Sequence, residues 1–235
     1  MSVNSASYRS VIIESNANHS EGSPMIAQIT RPATLPILRQ PEPENPSPTL
    51  LYDITWEQLE QLDIILEHTG MRLTYIDGIV ELMAPPSEAH ETPKSTVSTI
   101  VEMFLRERDI RFYIRGSETQ GKKKDGARIE PDECYSIGNK KNTPDLAIEV
   151  TVTSGGLNKL AVYARLNITE VWFWEDGTIE IYCLREDGIY DKVTSSELIP
   201  DLDIELVAEH SRMADQYDAI QSFIQKIRTQ PNSPT

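Results

Sequence analysis

The order of hydrophobic patterns along the chain predicts an α/β protein, a mixed β-sheet core flanked by helices. Three observations predict it. A hairpin signal, Met71–Ile76 and Ile79–Met83 joined by Asp77-Gly78, lies between two stretches of helical periodicity. Asp145–Val152 (DLAIEVTV) reads as a buried strand, and the Gly-rich break Ser154-Gly155-Gly156 leads from it into another helical stretch. Two further apolar runs, EVWFW and TIEIYCL, follow as a second hairpin around Glu175-Asp176-Gly177.

Taken in order, residues 1–48 are rich in Ser, Asn and Pro and end in PATLPILRQPEPENPSP, which predicts an extended, disordered tail. The folded domain is expected over residues 49–210. Thr55 and Gln58 form a capping-box pattern, and Trp56, Leu59, Leu62, Ile65 and Leu66 follow with helical spacing. The hairpin comes next and Pro85-Pro86 ends it. A second helix spans SEAHETPKSTVSTIVEMFLRERD, with Thr92 as cap, Pro93 at its first position and Val97, Ile100, Val101, Phe104 and Leu105 as its buried stripe. RFYIRG reads as a strand, GKKKDG as a polar turn, ARIEPDECYSIG as another strand and Leu157–Leu166 as a helix. Residues 211–235 are read as a final amphipathic helix, Met213–Ile227, and a short tail. Its apolar stripe (Tyr217, Ile220, Phe223, Ile224, Ile227) needs cover, either from its own domain or from a second copy in a homodimer.

Composition excludes several classes. The 22 Lys+Arg stand against 37 Asp+Glu, a net charge of −15, which argues against a basic coat for sequence-blind binding to nucleic acid or anionic membranes. The charge is uneven, however. Arg111–Arg165 holds ten basic and seven acidic residues, so the acidity lies mostly elsewhere. No apolar run approaches the roughly 18 residues of a membrane span, and the N-terminus lacks the pattern of a secretory signal. Cys134 and Cys183 alone build neither a disulfide framework nor a four-cysteine zinc site, and a cytoplasmic setting is expected.

The chemistry-bearing stretch is EPDECYSIGNKKNTPDLAIEVTVTSGGLNKLAVYARL. On a strand, Asp145, Ala147, Glu149 and Thr151 share a face, opposite Leu146, Ile148 and Val150. Asp132 opens the preceding strand, 17 residues before Glu149, a spacing that suits two paired strands. Lys159 lies on the next helix. Buried carboxylates are costly unless paired or metal-bound. Asp132, Asp145, Glu149 and Lys159 therefore form a candidate hard-cation site for Mg²⁺ or Mn²⁺. The residues alone equally fit a structural reading, with Asp145 capping after Pro144 and Glu149 paired with Lys159. Accessory candidates are Glu91, as acid near the metal or helix-dipole partner, His90, as proton shuttle or structural histidine, and Tyr163, one helical turn after Lys159. Trp172 and Trp174 are read as sheet core, and Lys122–Lys124 either as phosphate contacts or as a solvated turn.

Several of these motifs, in this order, resemble the PD-(D/E)XK nuclease superfamily, and more narrowly the Uma-type family of bacterial restriction endonuclease-like proteins. They are Thr55-Trp-Glu-Gln-Leu-Glu-Gln-Leu, Tyr75-Ile-Asp-Gly-Ile-Val-Glu-Leu-Met-Ala-Pro, His90, Glu130-Pro131-Asp132, Pro144-Asp145-Leu-Ala-Ile-Glu149-Val, Lys159-Leu-Ala-Val-Tyr163-Ala, Val171-Trp-Phe-Trp and Leu198-Ile-Pro-Asp-Leu. The resemblance covers about residues 50–210. It implies a restriction-endonuclease-like fold, Asp132 and Glu149 as metal ligands with Asp145 in support, and Mg²⁺-dependent cleavage of DNA. One departure is plain. The superfamily places a lysine two residues after the glutamate, where this chain has Thr151, and the resemblance suggests Lys159 on the following helix as its replacement. The alternative expectation is a catalytically inactive module of the same fold that binds DNA or protein.

Overall fold

The computed structural model describes residues 47–151 and 156–229. Residues 1–46 of the expected 1–48 tail, residues 152–155 with the Ser154-Gly155 part of the Gly-rich break, and residues 230–235 lie outside the described residues. Two sheets form the described region. The smaller is antiparallel, in the order β1-β3-β2-β5: β1 (Thr49–Leu51), β2 (Arg72–Ile76), β3 (Ile79–Met83) and β5 (Ala127–Arg128). Asp77 and Gly78 turn the hairpin with φ of 45° and 91°, the pair of positive values that a tight two-residue turn of this hand demands. Helix α1 (Trp56–Leu66) carries the expected capping box, with Gln58 N–H donating to Thr55 and Thr55 N–H to the Gln58 side chain. Its inner stripe is Trp56, Leu59, Leu62 and Leu66. Ile65, expected on that stripe, is 71% exposed because it lies on the flank of the helix turned from the sheet.

The two faces of the small sheet differ. Leu73, Tyr75 and Val80 pack under α1, with Trp56 edge-on to Tyr75. Arg72 and Thr74 alternate with these on β2, and Glu81 is the cross-strand partner of Thr74, so these three side chains share the opposite face.

The larger sheet runs β10-β9-β8-β7-β6-β4. Its strands are β4 (Phe112–Ile114), β6 (Glu133–Ile137), β7 (Leu146–Thr151), β8 (Glu170–Glu175), β9 (Thr178–Leu184) and β10 (Tyr190–Val193). All neighbours are antiparallel except β7 and β8, which the crossover helix α3 (Lys159–Arg165) joins in parallel. One face packs against α2 (Glu88–Glu107), α4 (Ile204–Ser211) and α5 (Gln216–Thr229) through Phe104, Tyr135, Ile148, Trp172, Val207 and Phe223. The other meets α3 through Cys134, Ala147, Val162, Tyr163 and Val171. No helix among the described residues is long and apolar enough to cross a membrane.

Three readings change. ARIEPDECYSIG holds two strands in different sheets, β5 and β6. Pro131 sits between them, and without an N–H it cannot extend a ladder. Helix α2 begins at Glu88 after Ser87, which leaves Pro93 inside the first two turns instead of at the start. There it removes the ladder bond to the Ala89 carbonyl, and its ring crowds that carbonyl. Third, Phe223 and Ile227 of the expected α5 stripe are buried against α2 and α4 with Ile220 packed beside them, while Tyr217 stays 70% exposed, so the chain's own domain covers most of the stripe. Truncating Phe223 to Ala should therefore cost about 3–5 kcal/mol in urea unfolding. A loss under about 1 kcal/mol, in the range of surface substitutions, would mean that α5 does not complete this core.

Candidate active site

Two carboxylates meet at the middle of the large sheet. The antiparallel register pairs Glu133 with Ile148, so Asp132, one residue before β6, falls opposite Glu149 on β7. Both are essentially inaccessible, at 1% exposure each. Asp132 is held by three groups. Its Oδ2 accepts from the Val150 N–H at 2.7 Å and lies 3.0 Å from His90 Nε2, and its Oδ1 accepts from the Arg72 guanidinium. Burial alone would push the Asp132 carboxyl up. The His90 hydrogen bond and the charges of Lys159, His90 and Arg72 outweigh it and hold the group well below the ordinary carboxylate range.

Glu149 is oriented from the next helix. Lys159 Nζ, at the first residue of α3, donates to Oε2 at 2.7 Å, and the Tyr163 hydroxyl donates to Oε1. One helical turn separates Lys159 from Tyr163, so both reach the same carboxylate. Burial, reinforced by the neighbouring Asp132 charge, raises the Glu149 carboxyl against the pull of Lys159. For Lys159, burial would lower the ammonium, but Glu149 and Asp132 more than offset it and its affinity for the proton rises. Tyr163, buried beside Glu149, is pushed well above its ordinary value and stays a hydrogen-bond donor. Lys159 thus reaches Glu149 from a helix, while the strand position two residues after the glutamate is Thr151.

Asp145 does not join them. Strand parity puts it on the face of Glu149, but four residues away, about 13 Å at the rise of a strand. Its Oδ2 accepts from the Ile137 N–H at 2.8 Å and its Oδ1 from Lys141 at 2.7 Å. It acts as the strand cap that the structural reading described, and the expectation of a ligand there is corrected. His90 bridges Asp132 and Glu91, with Nδ1 3.2 Å from Glu91 Oε1. Glu91 lies further out, 46% exposed at its side chain, and Lys94 holds it at 3.1 Å. Burial would raise the Glu91 carboxyl, but Lys94 and His90 lower it. Trp172 and Trp174 are tied inside, their indole N–H groups donating to Glu170 at 2.6 Å and Ser211 at 2.8 Å.

Two participants escaped the sequence reading, Arg72 and Glu81, both from the small sheet. Glu81 is 2% exposed; its Oε1 accepts from the Leu157 N–H at 2.8 Å, just before α3. A side chain at Gly156 would meet Glu81 Oε1 at 1.9 Å, and Gly156 has a φ of +108°, so only glycine fits that approach. The available signal was a charged residue within the apolar run IVELM.

With this geometry in place, the comparison with known families is decisive. Residues 56–221 match the model of the Uma2 family, described as "Putative restriction endonuclease". The chain belongs to the Uma2 family. No curated protein matches it. Enzymes of the restriction-endonuclease-like group to which Uma2 proteins are assigned generally use divalent metals. In this Uma2 chain the oxygens of Asp132 and Glu149 are the ones that could hold such an ion, with the Glu81 Oε2 buried and unpartnered among the described residues. Among those residues no three His, Cys, Asp or Glu side chains form a closed cage. A two-carboxylate site completed by water and substrate phosphate suits Mg²⁺, which keeps much of its hydration, so the residues present fit such an ion.

Because the folded state favours ionised Asp132, its contribution to stability is complete above its ordinary value of 3.8 and fades as pH falls through the lower folded value. Between about pH 5 and 2, Asp132→Asn should flatten the acid-induced loss of stability in urea titrations. A variant as acid-sensitive as the parent would refute this placement of the charge. Asp132→Ala, which strands Arg72 and His90, should cost about 3–5 kcal/mol in the same assay near neutral pH.

Proposed function

We propose that this protein is a divalent-metal-dependent endonuclease that hydrolyses DNA phosphodiester bonds. The observation that carries the reading is the buried Asp132–Glu149 pair with Lys159 on the Glu149 carboxylate, in a chain of the restriction-endonuclease-type family. Asp132 and Glu149 would hold Mg²⁺ or Mn²⁺. When bound, the ion would polarise the scissile phosphate and activate a water.

The chain's own groups have distinct tasks in this proposal. Lys159 stands with its Nζ 2.7 Å from the Glu149 carboxylate, and its proton affinity in the metal-free site is raised by Glu149 and Asp132. From that position it would stabilise negative charge developing on the phosphate. The Tyr163 hydroxyl keeps its proton and fixes the Glu149 rotamer, which makes Tyr163 a positioning residue. His90 plays the same part for Asp132 and hands Glu91 a route to it through the imidazole ring. Asp145 has no part in the reaction.

Purified protein incubated with supercoiled plasmid and Mg²⁺ or Mn²⁺ should nick and linearise it, and chelation should stop the reaction. Glu149→Ala and Lys159→Ala should each lower the rate by about 10²-fold or more, the scale seen when a charge-stabilising group is removed from a site of this kind. Asp145→Asn, which keeps the acceptor for the Ile137 N–H, should cut within a few-fold of the parent. Equal losses in Asp145→Asn and Glu149→Ala would contradict the division of labour proposed here.

A further inference from the structure

The described surface carries one strongly cationic cavity that the Asp132–Glu149 centre does not use. It encloses about 1300 Å³, and its lining includes seven basic side chains against two acidic ones, on a chain whose net charge is −15. Some of that basic charge is spoken for: Arg115 pairs with Glu118, Lys141 with Asp145 and Arg165 with Asp77. Lys122, Lys124 and Lys140 are exposed and have no carboxylate within salt-bridge distance among the described residues. Of the two acids in the lining, Glu118 is taken by Arg115 and Asp125 accepts from the Lys122 N–H at 3.0 Å. Arg106, at the same cavity, lies over the Phe112 ring, 5.1 Å from its centre, and has only the distant Glu102 at 3.9 Å. Four cations concentrated in one concavity without matching acids repel one another, and an anionic ligand relieves that repulsion.

The elements that carry the centre also carry the cavity. Lys140 and Lys141 lie in the link between β6 and β7, the strands of Asp132 and Glu149. Arg165 ends α3, the helix that Lys159 begins. Lys141, which lines the cavity, holds Asp145, and Asp145 is about 13 Å along the strand direction from Glu149. Steps of B-DNA are 3.4 Å apart, so this is about four base-pair steps. A duplex lying along that direction would present phosphates to both the centre and the cavity.

We infer that this cavity is a phosphate-backbone contact site for double-stranded DNA, with Lys122, Lys124 and Lys140 as its principal contacts. The choice of DNA over another polyanion rests on the endonuclease reading; the cationic site does not. The contacts are to phosphates and carry no sequence information, so they position a duplex on the centre without selecting it.

The test measures binding without cleavage. The full chain is titrated onto a labelled duplex of about 25 base pairs in EDTA, by fluorescence anisotropy, from about 50 to 200 mM KCl, a range over which phosphate contacts lose affinity steeply. The log of the association constant should fall linearly with the log of salt, and the Lys122→Gln/Lys124→Gln double variant should be shallower by about 1.8, close to 0.9 per lost contact. Lys123, adjacent in sequence but held by Glu57 outside the cavity lining, is the control: Lys123→Gln should leave the slope unchanged. A parent that does not bind duplex, or a double variant with the parent's slope, overturns the site. So does competition by polyglutamate as effective as that by DNA, and tighter binding of an RNA duplex of equal length overturns the choice of nucleic acid. The two readings fail separately. Loss of the slope effect with cleavage intact removes the cavity alone, and a retained slope effect without cleavage in Mg²⁺ or Mn²⁺ removes the nuclease alone.

Discussion

Two carboxylates side by side in the interior of a sheet are the constraint on which the rest of the molecule depends. Asp132 and Glu149 face each other across β6 and β7 with almost no access to water. In such a place each negative charge raises the cost of the other, and hydration offers no relief. The large sheet has no cation of its own at these positions, since its strands there supply apolar side chains and Thr151. Apart from the Val150 N–H of β7, every compensating group comes from another element: His90 from α2, Lys159 and Tyr163 from α3, Arg72 from the small sheet.

That division explains why there is a second sheet. Its apolar face is a small core under α1, which any two-layer fold provides. Its other face does something specific to the centre. Arg72 neutralises Asp132, and Glu81 fixes the backbone at Leu157, two residues before the lysine. The lysine that the superfamily places on the glutamate strand is here on a separate helix, so its position depends on the link between β7 and α3. Glu81 and Gly156 meet on that link so closely that a Cβ has no room. The hairpin thus sets where α3 begins, and through it where the ammonium of Lys159 stands against Glu149.

Much of this was legible in the sequence because it rests on short-range rules. The Thr55–Gln58 capping box, the Asp77-Gly78 turn and the buried strand over Leu146–Thr151 are decided by neighbours within a few residues. The Asp132–Glu149 juxtaposition was legible as well, since a short link between two strands leaves few registers. What alternation cannot give is reach. It puts Asp145 on the face of Glu149 without saying which end of the strand faces the site, so from sequence a strand cap resembles a ligand. Arg72 and Glu81 were hidden for a related reason. Their partners lie 60 and 76 residues away, and nothing local distinguishes a charge bound for a buried site from one bound for solvent. Pro93 and Ile65 misled through rules that hold on average: a proline was assigned to a first turn, and an isoleucine to a stripe that passes beside it.

The uneven charge gives the same elements a second consequence. An acidic exterior repels a polyanion from most directions of approach, and the basic residues of Arg111–Arg165 create an opening in that repulsion. At the centre, Lys159 and Arg72 offset Glu149 and Asp132, so this pair of acids does not close the opening. Salt acts on both parts. It screens the long-range repulsion from the exterior as well as the short-range attraction in the cavity, and the exposed charges at larger separations are screened first. An acidic protein can therefore hold a polyanion at one place while resisting it elsewhere, and the orientation of approach is set before any base is read.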